Sequence, residues 1–147
     1  MSIWWSLHLR REAASVPLAR RLLMGTMETA GVDPDISFDL SVALTEACAN
    51  AVEHADSATG YSVTARIEGD CCRIEVADSG PGLPRDRFRH PARPPALRGR
   101  HAEHGRGLFL IEALVDHVQF QDRPGHGTVV AFDKVLKWRE DALLKAS

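Results

Sequence analysis

A set of polar residues that recur at the spacing of an α-helix constrains the fold of this chain more than any other feature. In the run LTEACANAVEHA, residues 44–55, the side chains of Glu46, Asn50 and His54 follow one another at intervals of four. On a helix, side chains at this interval lie along one face. The small and apolar surface that such a helix can bury is supplied by its neighbours Ala43, Leu44, Ala47 and Ala51. The sequence therefore predicts a helix over residues 35–55 with one buried face and one polar face.

The chemistry of this polar face suits a magnesium–phosphate site. An amide oxygen such as that of Asn50 is a hard, neutral ligand, and magnesium keeps most of its waters when it binds a protein. A carboxylate one turn away, that of Glu46, can hold a water or a hydroxyl group. The same spacing is also that of an ordinary amphipathic helix with a solvated stripe, so the helix alone leaves both interpretations open.

A carboxylate at the end of a predicted strand is the second element. The run CRIEVA, residues 72–77, alternates apolar and charged side chains, which is typical of a half-buried strand. The next core-side position is Asp78, and a buried carboxylate needs a partner such as the exocyclic amine of a purine. Gly80 and Gly82 follow in DSGPG and allow the backbone to approach a flat ligand. Taken alone, DSGPG is equally typical of an ordinary turn.

The third element lies in HGRGLFLIEALVDHV, residues 104–118, where two glycines precede a helical pattern of apolar residues. We expect Gly105 and Gly107 to lie in a loop that opens into the N-terminus of this helix. Free N–H groups and the positive end of the helix dipole favour phosphate at such a place. Glycine pairs before helices are common, so this signal gains its weight from the order and spacing of all three elements.

Together the three elements resemble a known signature. Glu-x-x-x-Asn on a helix, DxGxG after a strand and Gly-x-Gly opening a helix are the motifs of the Bergerat-fold ATPases, which include gyrase-type ATPases and histidine kinases. Within that superfamily the chain is most similar to the small bacterial anti-sigma-factor serine/threonine kinases and their actinobacterial relatives. Further local matches are SVPLARRLL, GRGLFLIEALVD and GHGTVVAF. The resemblance runs from about residue 8 to residue 134.

The resemblance implies a single histidine-kinase-like ATPase domain over residues 1–147. Its fold class is α+β, a two-layer sandwich with helices on one face of a mixed, mainly antiparallel sheet. Alternation of apolar residues predicts strands at residues 3–10, 61–67, 71–78, 117–123 and 127–134. Helical periodicity predicts helices at residues 16–30, at residues 35–55, after Gly107 and in the tail at residues 135–146. Gly31 is expected to end the first helix, and Gly69-Asp70 is expected to form a hairpin turn.

For the polar helix and the strand carboxylate, the resemblance implies specific roles. Glu46 matches the catalytic carboxylate, which orients the attacking hydroxyl of a partner serine or threonine toward the γ-phosphate. Asn50 matches the asparagine that binds magnesium. Asp78 matches the residue that reads adenine, and Gly80 and Gly82 are implied to line the base.

Further roles concern the phosphates. Gly105 and Gly107 match phosphate-contacting glycines, and Arg106 is implied to stabilise the γ-phosphate. Thr128 matches a threonine on a late strand that supports adenine, through a water. The proline- and arginine-rich segment at residues 83–104 corresponds to the ATP lid of the family, and its positive charge suits phosphates.

The implied cofactors are ATP and magnesium, and the implied partner is an anti-anti-sigma protein with a STAS domain. A sigma factor as a second partner and a homodimer also follow from the resemblance, and Arg20 matches an arginine on the partner-binding surface of some relatives. Two alternatives remain open. One is an ATP-binding regulatory module that binds a partner without phosphorylating it; the other is a detached histidine-kinase-like ATPase domain. Glu46 beside Asn50 favours the kinase, because a pure binder needs no base.

Composition excludes several other classes. With 18 basic and 20 acidic residues the chain has a net charge of −2, without the basic stripe that direct nucleic-acid binding requires. No apolar run approaches the roughly 18 residues of a membrane span, and the first residues lack the order of a signal peptide. Three cysteines without metal-ligand spacing are typical of a reducing compartment, so we expect a cytoplasmic protein.

Overall fold

Five strands and three helices form the part of the chain that the structure describes. The computed structural model describes residues 2–54, 60–78, 100–123, 127–140 and 142; for His54, residues 100–106 and Arg123 it describes the backbone alone. The elements, in chain order, are β1 (Ser2–Leu9), α1 (Ser15–Ala30), α2 (Pro34–His54), β2 (Tyr61–Glu68), β3 (Cys71–Asp78), α3 (Arg100–Leu114), β4 (His117–Arg123) and β5 (Gly127–Val135).

The five strands form one sheet in the order β1-β2-β3-β5-β4. Every described pairing is antiparallel, so the prediction of a mixed sheet is wrong for these five strands. The β2–β3 and β4–β5 pairs each join strands that are consecutive in the sequence. Strand β5 also pairs with β3, which leaves β4 at one edge of the sheet. The predicted α+β sandwich is confirmed.

The core lies between one face of this sheet and the helices. Cross-strand pairs such as Val63 with Val76 and Ala65 with Ile74 face inward, which follows from the two-residue period of a strand. The largest fully buried side chains come from all three helices and from the sheet: Leu23, Met27, Leu40, Leu44, Ile67, Ile74, Ile111 and Phe132. Burying one such side chain contributes about 1.5–3 kcal/mol. No described helix is both long and apolar enough to cross a membrane.

The junction between α1 and α2 is built by local rules that the sequence shows. Gly31 has a φ of 91°, and its N–H contacts the carbonyls of Met27 and Glu28, so the predicted C-cap is confirmed. Helix α2 begins at Pro34, since the side chain of Asp33 accepts a hydrogen bond of 2.8 Å from the N–H of Asp35. Proline at the first helical position loses no hydrogen bond there.

The tail after β5 is not helical over the residues that the structure describes. The N–H of Leu136 donates to the carbonyl of Asp70 at 2.6 Å, and the N–H of Arg139 donates to the carbonyl of Gly31 at 2.7 Å. Trp138 forms an isolated bridge with Val32. These backbone groups bond to distant segments and not to carbonyls four residues earlier, so the helix predicted at residues 135–146 is wrong here.

Candidate functional site

Helix α2 presents the predicted polar face. Glu46 and Asn50 are both half-buried on this helix, one turn apart. The face predicted to be buried is buried, with Ala43, Leu44, Ala47 and Ala51 at most 3% exposed. Both polar side chains, Glu46 and Asn50, are thus partly enclosed by the domain.

Helix α3 passes close to the Glu46 carboxylate at a glycine. A Cβ atom placed on Gly107 would lie 3.1 Å from Oε2 of Glu46, which is tighter than an ordinary contact between such atoms. The absence of a side chain at Gly107 therefore leaves room for the carboxylate. Two of the predicted site residues, which are 61 positions apart in the sequence (107 minus 46), meet at this point.

The backbone around Gly105 and Gly107 differs from the prediction. Helix α3 begins at Arg100, so both glycines lie inside the helix and not in a loop before it. The end of the predicted lid, residues 100–104, is helical for the same reason. Glycine costs a helix only about 1 kcal/mol relative to alanine and keeps its N–H, so it weakens a helix without ending it.

At the other end of the site, Asp78 meets Thr128. Asp78 lies opposite Tyr61 in the β2–β3 ladder and therefore on the core face, as predicted. Its Oδ1 accepts a hydrogen bond of 3.3 Å from the backbone N–H of Thr128 on β5. Thr128 is 3% exposed, and its hydroxyl has no hydrogen-bond partner among the described residues. A buried, unsatisfied hydroxyl thus lies beside a half-buried carboxylate.

These groups fit an adenine nucleotide. A buried hydroxyl left without a partner costs about 1–3 kcal/mol, and a ligand or a bridging water can remove that cost. The carboxylate of Asp78 is an acceptor for an exocyclic amine, and the Thr128 hydroxyl can donate or accept. Both groups are supplied by neighbouring strands of the sheet, β3 and β5, which hold them in fixed positions.

The residues on α2, Glu46 and Asn50, could bind magnesium only together with a nucleotide. The described residues contain no cluster of three or more histidine, cysteine or acidic side chains that could hold a metal by itself. Magnesium bound with a nucleotide needs only one or two protein oxygens, because phosphates and waters complete its shell. The Asn50 amide, with Glu46 nearby, is a donor set of that kind.

A buried hydroxyl network joins α1, β2 and α2. The Tyr61 hydroxyl contacts Oγ of Ser15 at 2.5 Å, and Ser15 Oγ donates to the carbonyl of Glu12 at 2.6 Å. Tyr61 also contacts Cys48, which lies on α2 between Glu46 and Asn50. Burial raises the pKa of both Tyr61 and Cys48 to about 12, so both are neutral at pH 7. This network therefore adds no charge to the core between the helices and the sheet.

Sequence reasoning missed one arginine that contacts α2. Arg11, in the turn after β1, donates from Nε to the carbonyl of Val52 at 2.5 Å and from Nη2 to the carbonyl of Glu53 at 2.7 Å. An arginine in a turn carries no spacing signal, and its contact is 41 residues away. Only the fold brings it to the end of α2.

Several predicted site residues fall outside the described residues. Gly80, Gly82 and the lid at residues 83–99 belong to this group, as do the side chains of Arg106 and His54. Their predicted roles remain predictions. Arg20, the predicted partner-facing arginine, is exposed on α1.

The chain is similar to known proteins over most of its length. The family model described as the histidine kinase-like ATPase domain matches residues 9–134. A serine-protein kinase RsbW of Bacillus velezensis is 34% identical over 131 residues, which cover 85% of this chain and 81% of that protein. The serine-protein kinase RsbW of Bacillus subtilis is 33% identical over 127 residues, which cover 82% of this chain and 78% of that protein.

A solved structure shares the fold. The structure of the RsbU and RsbW domains of a Mycobacterium tuberculosis protein superposes on this chain with a TM-score of 0.68 at 23% identity. The match covers 91% of this chain and 32% of the longer one, so this chain spans about a third of that relative. The similarity shows a common arrangement of helices and strands.

Proposed function

Because the chain belongs to the histidine kinase-like ATPase family and is a relative of the serine-protein kinases RsbW, we propose that it uses magnesium-ATP to phosphorylate a serine or threonine of an anti-anti-sigma partner with a STAS domain. The family confirms the predicted resemblance, the use of ATP and the protein-kinase class. Magnesium, the partner and the roles of single residues are proposals for this chain.

One observation supports transfer over simple nucleotide binding. The carboxylate of Glu46 lies against Gly107 of α3, one turn from Asn50, where the metal and the phosphates are proposed to bind. A module that only binds nucleotide has no need of a half-buried carboxylate at this place. Phosphoryl transfer does need one, to orient the incoming hydroxyl group, and it needs little other covalent chemistry from the protein.

Each residue then has a defined task. Asp78 would accept a hydrogen bond from the adenine amine, and Thr128 would complete the contact to the base, directly or through a water. Asn50 would hold the magnesium through its amide oxygen, and Gly107 would leave room beside α3 for the Glu46 carboxylate. Bound magnesium-ATP supplies the transferable phosphoryl group and the metal charge that neutralises it. Glu46 would accept the hydrogen bond of the partner hydroxyl and take up its proton.

The surface of α1 supports a protein as the phosphate acceptor. Leu18 is 58% exposed and Leu22 is 38% exposed, beside the exposed Arg20 and Arg21. Exposed apolar side chains next to arginine are typical of protein interfaces. We propose that this surface receives the partner, and that a sigma factor and a second copy of the chain are further partners, as the resemblance implies.

Transfer of labelled γ-phosphate tests the proposal. Wild-type protein should transfer label from magnesium-ATP to a STAS-domain protein encoded beside its gene, and the product should be acid-stable phosphoserine or phosphothreonine. An acid-labile product would point to a histidine acceptor and to the detached histidine-kinase-like domain. Binding of both ATP and the STAS-domain protein without any transfer would contradict the kinase and favour the regulatory module.

A further inference from the structure

Arg11 holds the C-terminal end of the helix that carries Glu46 and Asn50. Its guanidinium donates to two successive carbonyls of α2, at 2.5 Å to Val52 and at 2.7 Å to Glu53. Neither carbonyl belongs to the nucleotide site itself. Arg11 lies in the exposed turn between β1 and α1, so this clamp joins two segments that are distant in the sequence.

The last turn of a helix is its least stable part. The final four carbonyls have no N–H partner within the helix, and they fray unless other groups bond to them. Helix α2 ends at His54, so the N–H that bonds to the carbonyl of Asn50 belongs to the last helical residue. Fraying of residues 52–54 would therefore release the backbone of Asn50 on its C-terminal side.

The turn that carries Arg11 packs closely against the start of β2. Gly60, which precedes β2, has a φ of 70°, and a Cβ atom there would overlap the carbonyl oxygen of Leu9. The turn that carries Arg11 is thus packed against the chain on both sides of residues 55–59. A guanidinium at a helix C-terminus also offsets the negative end of the helix dipole.

We propose that Arg11 is a positioning residue of the nucleotide site, which keeps the last turn of α2 helical and so aims the Asn50 amide at the metal. This inference rests on the proposed function, in which Asn50 binds magnesium. Arg11 touches neither nucleotide nor metal in this account. Its effect is transmitted through the backbone of α2 and should appear only in the part of nucleotide affinity that depends on magnesium.

The experiment compares nucleotide affinity with and without magnesium. Calorimetry would measure ADP binding to wild type and to the Arg11→Ala and Arg11→Lys variants, in magnesium and in EDTA. With magnesium we expect Arg11→Ala to bind about three- to tenfold more weakly, the scale of a lost charge-assisted hydrogen bond. In EDTA the change should stay below about twofold, because the base contacts at Asp78 and Thr128 are untouched. Arg11→Lys should lie between, since an ammonium cannot reproduce the fork of a guanidinium.

Arg10 offers a matched control in the same turn. It is exposed, and its side chain makes no hydrogen bond to a described residue. Arg10→Ala removes the same charge from the same place, so its affinity for ADP should match that of wild type within about twofold in both buffers. A loss as large as that of Arg11→Ala would overturn the proposal, because charge alone would then explain the effect.

A double-mutant cycle separates positioning from general stabilisation. In an Asn50→Ala background, Arg11→Ala should cause no further loss of magnesium-dependent affinity, because the residue that it positions is gone. Equal losses in both backgrounds, or equal losses with and without magnesium, would show that Arg11 only stabilises the domain. Wild-type protein that binds ADP with an affinity independent of magnesium would contradict the proposed role of Asn50 first, and that of Arg11 with it. Circular dichroism identifies a variant that fails to fold, and Arg11→Lys then carries the test.

Discussion

Helices α2 and α3 both contribute to the candidate site, but they are held in the domain very differently. Of the twenty α2 residues with described side chains (34–53), eight are buried, whereas among residues 107–114 of α3 only Ile111 is buried. Helix α2 is capped at its start by Asp33 and clamped at its end by Arg11. Helix α3 contains two glycines, Gly105 and, at its midpoint, Gly107.

The difference matches the tasks proposed for the two helices. A carboxylate and a metal ligand must keep a fixed geometry, and α2 fixes them by burial and by caps at both ends. Helix α3 is anchored at its C-terminal end, where Nζ of Lys134 donates to the carbonyl of Leu114 at 2.7 Å and lies 3.9 Å from a carboxylate oxygen of Asp39 on α2. Its glycine-containing stretch is the part that passes close to the Glu46 carboxylate.

The largest loss of phosphoryl transfer should come from a change of the Glu46 carboxylate on α2. Glu46→Gln keeps the shape of the side chain but removes the base, so phosphoryl transfer should fall about 10²- to 10³-fold, within the range that acid–base groups supply. Affinity for ADP should stay within a few-fold, because Glu46 is not proposed to contact the base. The same change at exposed Glu53, on the same helix, is the control. Transfer at the wild-type rate by Glu46→Gln would disprove the role of base.

The second largest loss of phosphoryl transfer should come from the contact between α2 and α3. Gly107→Ala places a methyl group 3.1 Å from Oε2 of Glu46, so we expect the carboxylate to move and transfer to fall about tenfold. Stability should rise by up to about 1 kcal/mol, because alanine is the better helix former. Gly25→Ala is the matched control, since a Cβ there has no atom within 4 Å. It should gain similar stability at unchanged activity. Loss of activity in both variants would contradict the specific contact.

The cap at the start of α2 should matter for stability alone. Asp33→Ala removes the acceptor of the Asp35 N–H bond, and loss of such a cap costs about 0.5–2 kcal/mol. Urea denaturation would measure this cost. Nucleotide affinity should not change, since Glu46 and Asn50 lie three and four turns further along the helix. A parallel loss of affinity would show that α2 transmits strain from its start to the site.

The smallest effect concerns the strand that follows α3. His117, at the start of β4, contacts Oδ1 of Asp133 at 2.9 Å, and this hydrogen bond raises the pKa of His117. Because the folded pKa is the higher one, the stabilisation is fully present below the unfolded value of 6.5 and is lost as the pH rises through the folded value. His117→Gln should therefore lower the melting temperature slightly at pH 5.5 and not at pH 8.5. An equal change at both values would contradict the ion pair.

The sequence predicted the parts of the site that depend on local patterns. The alternation in β3 placed Asp78 on the core face, and the four-residue spacing in α2 placed Glu46 and Asn50 together. It failed at Gly105, where the glycines suggested a loop although the surrounding residues sustain a helix.

The contacts that join distant segments could not be predicted in this way. Arg11 and Trp138 carry no periodic signal, because their partners lie far away in the sequence. Arg11 contacts the end of α2, and Trp138 contacts Val32 and Asp70. The tail at residues 136–140 has a helical composition, but its N–H groups bond to Asp70 and Gly31. Only the completed sheet creates those partners.

Selectivity for the adenine amine tests the central claim most directly. Inosine triphosphate carries an oxo group in place of that amine, so its 6-position is an acceptor and cannot donate to the carboxylate of Asp78. Calorimetry in magnesium should show that wild type binds ATP more tightly than inosine triphosphate by about 1.5–3 kcal/mol, the value of a hydrogen bond to a charged group. In Asp78→Asn this preference should largely disappear. Equal binding of the two nucleotides by wild type, or no binding of ATP at all, would contradict an adenine site at Asp78 and Thr128.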